Sequence, residues 1–141
     1  MNLIEKQNLL VEELGLIPNE FERLSYLVDY GKRLEPLDEN LKINEFKIEG
    51  CLSQLWIIPK FKDKKCVFKS QSDSAIVNGI AGLICNFYSN QFPDEILSNN
   101  AEFLDDVGIN QHLSPNRRNG LSKVIQFIHH FASSCKVDKN N

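Results

Sequence analysis

The sequence contains no Cys-x-x-Cys pair, although it has four cysteines, Cys51, Cys66, Cys85 and Cys135. A structural zinc site ordinarily shows at least one such close pair, so no metal site is expected. Nothing points to the oxidising compartment in which disulfide frameworks form. No apolar run approaches the roughly 20 residues needed to span a bilayer. The opening Met1-Asn2-Leu3-Ile4-Glu5-Lys6 carries an acid early and lacks a signal-peptide core. The expectation is therefore a cytoplasmic protein with no membrane partner. A dense basic face is missing as well, because 16 Lys and Arg are interspersed with 19 Asp and Glu, for a net charge of −3. That argues against general nucleic-acid binding, which requires clustered cations to displace counterions. Neither standard Gly-rich phosphate loop occurs. Histidines are scarce: His112, His129 and His130 complete the set. A Cys–His nucleophile needs one of them beside the thiol in space. His129 and His130 fall on a final helix where at least one faces solvent, and His112 precedes a helix start, where local hydrogen bonding accounts for it.

What is present fits one domain spanning 1–141. At 42% hydrophobic and 25% charged, the composition is that of a globular chain able to bury a core. Apolar residues between Leu3 and Leu14 predict a first helix ended by Gly15. Asn19 caps a second, with Glu22 three residues on as the partner of a capping box. Phe21, Leu24, Leu27 and Val28 share one face of it. From Arg33 to Glu45 no period holds, and a surface connection is expected. Phe46 and Ile48 alternate with Lys47 and Glu49, which predicts a short strand leading into Gly50. Ser53 to Phe61 is the clearest strand, with Pro59 placing it at an edge or near its end. Lys62-Asp63-Lys64-Lys65 reads as a solvated hairpin tip, and Cys66 to Gln71 as the antiparallel return, with Cys66 and Phe68 on one face.

Ser72 or Asp73 then caps a helix that is apolar on nearly every side, from Ala75 to Tyr88, which predicts a buried central element. Gly79 and Gly82 within it each cost about 1 kcal/mol against alanine, so close approach of a neighbouring backbone is expected there. Short helices follow at Pro93 and around Ala101–Val107. Ser114 and Pro115 open a last helix with Leu121, Val124, Ile125, Ile128 and Phe131 inward. The tail 133–141 is polar and is expected to fray.

The chemistry centres on Gly50-Cys51-Leu52-Ser53-Gln54-Leu55-Trp56. Glycine accepts backbone angles closed to other residues, and the following apolar run has strand character. Cys51 is thereby set at a loop tip entering a strand. A second candidate is the Arg117-Arg118 pair in the first turn of the last helix, where the helix dipole disfavours cations. A partner carboxylate and a solvated surface pair are both open readings for it.

Three motifs in this order resemble the SufE family of sulfur-acceptor proteins. They are Gly50-Cys51-x-Ser53-Gln54-x-Trp56, then Ser72-Asp73-x-Ala75-Ile76-Val77-x-Gly79, then Gln111-His112-Leu113-Ser114-Pro115-x-Arg117-Arg118-Asn119-Gly120-Leu121. The chain departs from the commonest family form at Leu52, Leu55 and Asn116, none of which is the thiol or an arginine. The resemblance implies an α+β fold, a small antiparallel sheet of about three strands packed against several helices, similar to the iron–sulfur scaffold proteins. It implies that Cys51 accepts persulfide sulfur from a pyridoxal-phosphate cysteine desulfurase and passes it to a downstream recipient for iron–sulfur cluster assembly. The pyridoxal phosphate belongs to the desulfurase; this chain needs no cofactor. The protein would stimulate that enzyme as an accessory sulfurtransferase. The resemblance further implies that Arg117, and with it Arg118, serves the desulfurase interface, and that Gly50, Ser53, Gln54, Asp73 and His112 support the loop. Two alternatives stay open: a scaffold that holds the cluster itself, and an adaptor that activates a desulfurase without accepting sulfur. No basic residue adjoins Cys51 in sequence, Lys47 being the nearest, so a sluggish thiol is expected in the free protein.

Overall fold

Each of the first helices begins where the sequence supplies a cap. In this computed structural model, which describes residues 1–50 and 53–140, α1 spans Leu3–Gly15 and Asn2 Oδ1 accepts from Glu5 N at 2.9 Å. Helix α2 spans Glu20–Lys32, with the expected Asn19 cap accepting from Glu22 N at 2.9 Å. The connection that follows contains 3-10 turns at Glu39–Leu41 and Asn44–Phe46. Strands β1, Leu55–Lys62, and β2, Lys65–Ser72, pair antiparallel with Ile57 opposite Ser70 and Pro59 opposite Phe68. Asp63 and Lys64 turn the hairpin with φ of 54° and 67°, the left-handed pair that matches the twist of the flanking strands. Helix α3 spans Ala75–Tyr88, and two short helices, α4 at Pro93–Leu97 and α5 at Phe103–Asp106, lead to α6 at Pro115–Asn140.

The α+β class matches expectation, but the strand count does not. Among the described residues the sheet has two strands, not about three. Asn44–Phe46 closes into a 3-10 turn instead, and this segment adds a single bridge to the sheet, Lys47 to Trp56. Ile48 N still reaches Leu55 O at 2.8 Å, and Ile48 is buried. The alternation of Phe46 and Ile48 thus reflects one buried residue beside the sheet rather than a paired strand; two residues of alternation are too few to propagate a ladder.

Helix α3 packs on β2 at one side and on α2 at the other. From Ile80 to Cys85 it is continuously buried, as its all-round apolar character requires. Its contact with α2 is set by glycine. A Cβ on Gly79 would lie 2.0 Å from the Leu27 carbonyl oxygen, and one on Gly31 would lie 2.9 Å from Gly79 Cα. The two backbones therefore touch, as expected for Gly79. Gly82 differs, because its close neighbour is the Leu34 side chain, with Cδ1 2.2 Å from the would-be Cβ. Lys6 ties α1 to the end of α3. Its Nζ donates to the carbonyls of Asn86, Phe87 and Ser89 at 2.9, 3.2 and 2.9 Å, the orphan acceptors at a helix C-terminus. Burial lowers the Lys6 pKa from its usual value. Helix α6 covers the other side of the core with Leu121, Val124, Ile128 and Ala132 buried.

Candidate functional site

The site is framed by the entry to β1, the start of α3 and the flank of α6. Cys51 and Leu52 lie outside the described residues, so the frame is built from what borders them. Gly50 has φ +84°, a region that costs a side-chain-bearing residue roughly 1–2 kcal/mol. This is the turn that the glycine before the cysteine predicted. Ser53 is half-buried and Gln54 exposed, and β1 begins directly after with Leu55 fully buried.

Asp73 fastens this entry to the sheet. Its Oδ1 accepts from Gln54 N at 2.9 Å, and its own N–H donates to Gln54 O at 3.2 Å. The reciprocal pair crosses the open end of the hairpin, one step beyond the Leu55–Ser72 register. It forms because Asp73 is not the helix cap. Ser74 takes that role, its Oγ accepting from Val77 N, while Ser72 Oγ accepts from Ser74 N at 3.1 Å. The expected cap at Ser72 or Asp73 is thus corrected to Ser74, which leaves the Asp73 carboxylate available to Gln54. Asp73→Ala is expected to lose about 1–2 kcal/mol of stability, since a charge-assisted bond to a backbone N–H is lost. Asp73→Asn, whose oxygen can still accept, is expected to recover most of it. Urea unfolding of the two variants checks this.

The remaining motif residues sit elsewhere. His112 Nε2 lies 2.7 Å from Glu20 Oε1 and packs near Gly108, between a 3-10 turn at Asn110–His112 and α2. No hydrogen bond among the described residues links it to Gly50, Ser53, Gln54 or Asp73. Ser114 caps α6 as expected, accepting from Arg117 N at 3.3 Å. Arg117 and Arg118 are both exposed. Among the described residues the ion pairs are Lys42–Glu39, His112–Glu20 and Lys136–Asp94, so neither arginine is held by an internal carboxylate there. Arg118 borders an open groove of about 700 Å³ with Asp105, Asn110, Gln111, Ser122 and His129.

Sequence reasoning missed Lys123. Its stem lies against Gly50, with Cε 3.3 Å from where a glycine Cβ would stand. The inward stripe of α6 skips position 123, so nothing local marks it. It also missed Glu20, whose exposed position at a helix start gave no sign of a histidine partner.

The other cysteines are inert by position. Cys66, Cys85 and Cys135 are thiols outside any disulfide, and all are buried. Burial pushes the Cys66 thiol up to about 12, with the neighbouring Cys135 adding to the effect. Burial likewise pushes Cys85 up to about 12. At pH 8 the thiolate fraction of such a group is roughly 10⁻⁴. Iodoacetamide at that pH is expected to leave Cys66 and Cys85 unmodified in the native protein and to label both in denaturant. Peptide mapping checks this, and rapid native labelling of either would mean that the sheet–helix layer opens readily.

A family model described as an Fe-S metabolism associated domain, SufE, matches residues 8–132. The chain belongs to the SufE family. Its domain is thereby associated with iron–sulfur metabolism. The chain is 36% identical over 110 residues to SufE-like protein 1, chloroplastic/mitochondrial, of Arabidopsis thaliana, an alignment covering 77% of this chain and 29% of that protein. It is thus similar to less than a third of that longer relative. It is 30% identical to an uncharacterised SufE-like protein of Synechocystis sp., over 90% of this chain and 84% of that one. The solution structure of a hypothetical protein from Thermus thermophilus shares the fold, with a TM-score of 0.72, 14% identity and 96% coverage of both chains. No helix among the described residues is long and apolar enough to cross a membrane. The SufE assignment rests on the same stretch that carries the three motifs.

Proposed function

We propose that this SufE-family chain is a sulfur acceptor that takes persulfide sulfur from a pyridoxal-phosphate cysteine desulfurase onto Cys51 and delivers it for iron–sulfur cluster assembly. The Cys51 thiolate attacks the outer sulfur of the donor persulfide. A bond forms between the Cys51 sulfur and that outer sulfur, the donor S–S bond breaks, and the donor cysteine leaves as a thiolate that takes up a proton from solvent. No electron is gained or lost overall, because the sulfane sulfur moves unchanged between two thiols. The recipient repeats the exchange in the second half of the cycle.

The observation that carries this reading is the burial of three of the four cysteines, Cys66, Cys85 and Cys135, in the core. Gly50, which precedes Cys51 in sequence, is exposed and turns the chain with a left-handed φ before β1. The Asp73–Gln54 pair anchors the far side of the entry to β1, and the bond from Ile48 N to Leu55 O holds the chain before Gly50. The solvent-facing Arg117 and Arg118 at the start of α6, in no ion pair among the described residues, supply guanidinium groups suited to carboxylates of a partner protein. A cluster-holding scaffold needs three or four thiolates or imidazoles to converge, whereas Cys66, Cys85 and Cys135 are buried in the core.

Intact mass after incubation with a cysteine desulfurase and cysteine tests the proposal. A gain of one sulfur, about 32 Da, reversed by a reductant, is expected. An unchanged mass alongside an active desulfurase would leave the adaptor reading in its place.

A further inference from the structure

We propose that the cavity at Ser70, between β2 and α3, binds a small α-amino acid whose side chain carries a hydroxyl. The edge of β2 that faces away from β1 is nearly all paired. Along it, every second residue turns its N–H and C=O outward. Cys66 N donates to Gln91 O at 3.0 Å, and Cys66 O accepts from Asn90 N at 2.7 Å. Phe68 N donates to Ser89 Oγ at 2.9 Å, and Phe68 O accepts from that hydroxyl at 3.3 Å. Ser72 N donates to Asn78 Oδ1 at 3.0 Å. Ser70 falls between them in the same phase, so its N–H and C=O face outward too. Among the described residues no hydrogen bond takes up either group. The Ser70 hydroxyl is likewise without a partner there, although the residue is only 7% exposed. Buried polar groups are ordinarily paired, and here three of them on one residue are not.

Ser70 borders a cavity of about 180 Å³, whose other walls include Phe68, Gly82 and Cys85, with Leu34 from the connection after α2. Asn78 meets Ser72 and Ser89 meets Phe68, so the intervening stretch of α3 that carries Gly82 and Cys85 stands opposite Ser70. An outward N–H and C=O on one residue match the carboxylate and ammonium of an α-amino acid. Those two groups hang on a single carbon, as the N–H and C=O of a strand residue do. The ligand carboxylate accepts from Ser70 N–H and its ammonium donates to Ser70 C=O, in the way a residue of an added antiparallel strand would bond. Side chains paired across such a ladder lie on one face, which turns the ligand side chain towards Ser70 Oγ. A ligand hydroxyl satisfies that oxygen, whereas an apolar side chain leaves it buried and unpaired. The Cys85 thiol lies beside Ser70 but is a weak hydrogen-bonding group. Burial pushes it up to about 12, so it stays neutral and brings no charge to the cavity. Glu35 and Lys69 also border the cavity, both exposed and in no ion pair among the described residues. One charge of each sign suits a zwitterion rather than a simple anion or cation. Size follows from volume: about 150 Å³ accepts a benzene ring, so roughly seven non-hydrogen atoms fit, the size of serine. The cavity residues lie apart from Gly50, Gln54 and Asp73, and the inference does not depend on the sulfur-acceptor reading.

The test is titration of the isotope-labelled full chain with L-serine at constant pH and ionic strength, followed by the shifts of assigned amides in nuclear magnetic resonance spectra. L-Serine is expected to move the amides of Ser70, Gly82 and Cys85 saturably, with a Kd of about 1 mM. L-Alanine, which lacks the hydroxyl, is expected to bind about fivefold more weakly, the worth of one hydrogen bond. 2-Aminoethanol lacks the carboxylate and 3-hydroxypropionate lacks the ammonium, and neither is expected to bind. Ser70→Ala is expected to bring L-serine down to the L-alanine level while L-alanine stays within about twofold of its parent value, a pattern that general loss of structure does not produce. Equal affinity of the parent for L-serine and L-alanine overturns the inference. So does binding of 2-aminoethanol or 3-hydroxypropionate as tight as that of L-serine, because the zwitterion is then not what is recognised. Saturable shifts confined to other parts of the chain overturn it as well, as does the absence of any saturable shift up to about 50 mM. Should Ser70→Ala fail to fold, the comparison of the four ligands on the unaltered chain decides the question alone.

Discussion

Cys51→Ser is expected to abolish sulfur uptake: after incubation with desulfurase and cysteine its mass stays at the starting value, while the parent gains about 32 Da. Serine keeps the size and polarity of the side chain but cannot serve as a nucleophile towards sulfane sulfur at neutral pH, because its hydroxyl does not ionise there and oxygen forms no stable persulfide. The replacement leaves the frame intact. Gly50 keeps its turn, and the Asp73–Gln54 pair bonds through a carboxylate and main-chain groups that the substitution does not touch. Compensation from the remaining thiols is not expected, since Cys66, Cys85 and Cys135 are buried and burial holds both Cys66 and Cys85 at a pKa of about 12. The same variant separates the competing readings. An adaptor that works by docking alone would still stimulate the desulfurase with serine at position 51. A sulfur acceptor would lose both stimulation and mass gain. Full stimulation by Cys51→Ser would refute the carrier mechanism.

The largest structural effect is expected at Gly79. Alanine there improves helix propensity by about 1 kcal/mol, yet its Cβ would sit 2.0 Å from Leu27 O and 2.6 Å from Leu27 C. Those atoms are backbone and cannot rotate aside. Relief requires α2 to lift from α3, which also breaks the 3.2 Å bond from Asn78 Nδ2 to Gly31 O and loosens Leu27, fully buried at their interface. Overpacking of a tight core costs about 1–3 kcal/mol and more when backbone must move, so destabilisation exceeds the propensity gain. A net loss of about 3 kcal/mol is expected for Gly79→Ala in urea unfolding. Gly15→Ala is the control. That glycine ends α1 with nothing within 4 Å of its would-be Cβ, and a gain of about 0.4–1 kcal/mol is expected from restricting the unfolded chain. Equal effects at the two positions would mean that the α2–α3 contact does not constrain position 79.

Much of the fold was legible because its signals are local. Asn19 and Ser114 act within three residues of themselves, and both cap as expected. The apolar wrap of Ala75–Tyr88 demanded a buried helix, and Lys62–Lys65 demanded a turn. Where a local signal was thin it misled. Two alternating residues at Phe46 and Ile48 suggested a strand, but pairing needs a partner edge, and a single bridge to Trp56 is all that forms. Ser72 and Asp73 were the expected caps of α3, but the adjacent Ser74 takes the role, because its hydroxyl is the group that accepts from Val77 N.

The motifs around Gly50-Cys51, Ser72-Asp73 and Arg117-Arg118 carried the resemblance to the family in the sequence alone, since the identity and spacing of residues are properties of the chain before it folds. Packing alone decided that Asp73 would bond Gln54 rather than its own helix, that His112 would turn to Glu20, and that Lys123 would lie on Gly50. Each of those contacts joins residues from different elements. Their energies depend on how helices and hairpin settle against a common core, and no pattern within a few residues encodes that.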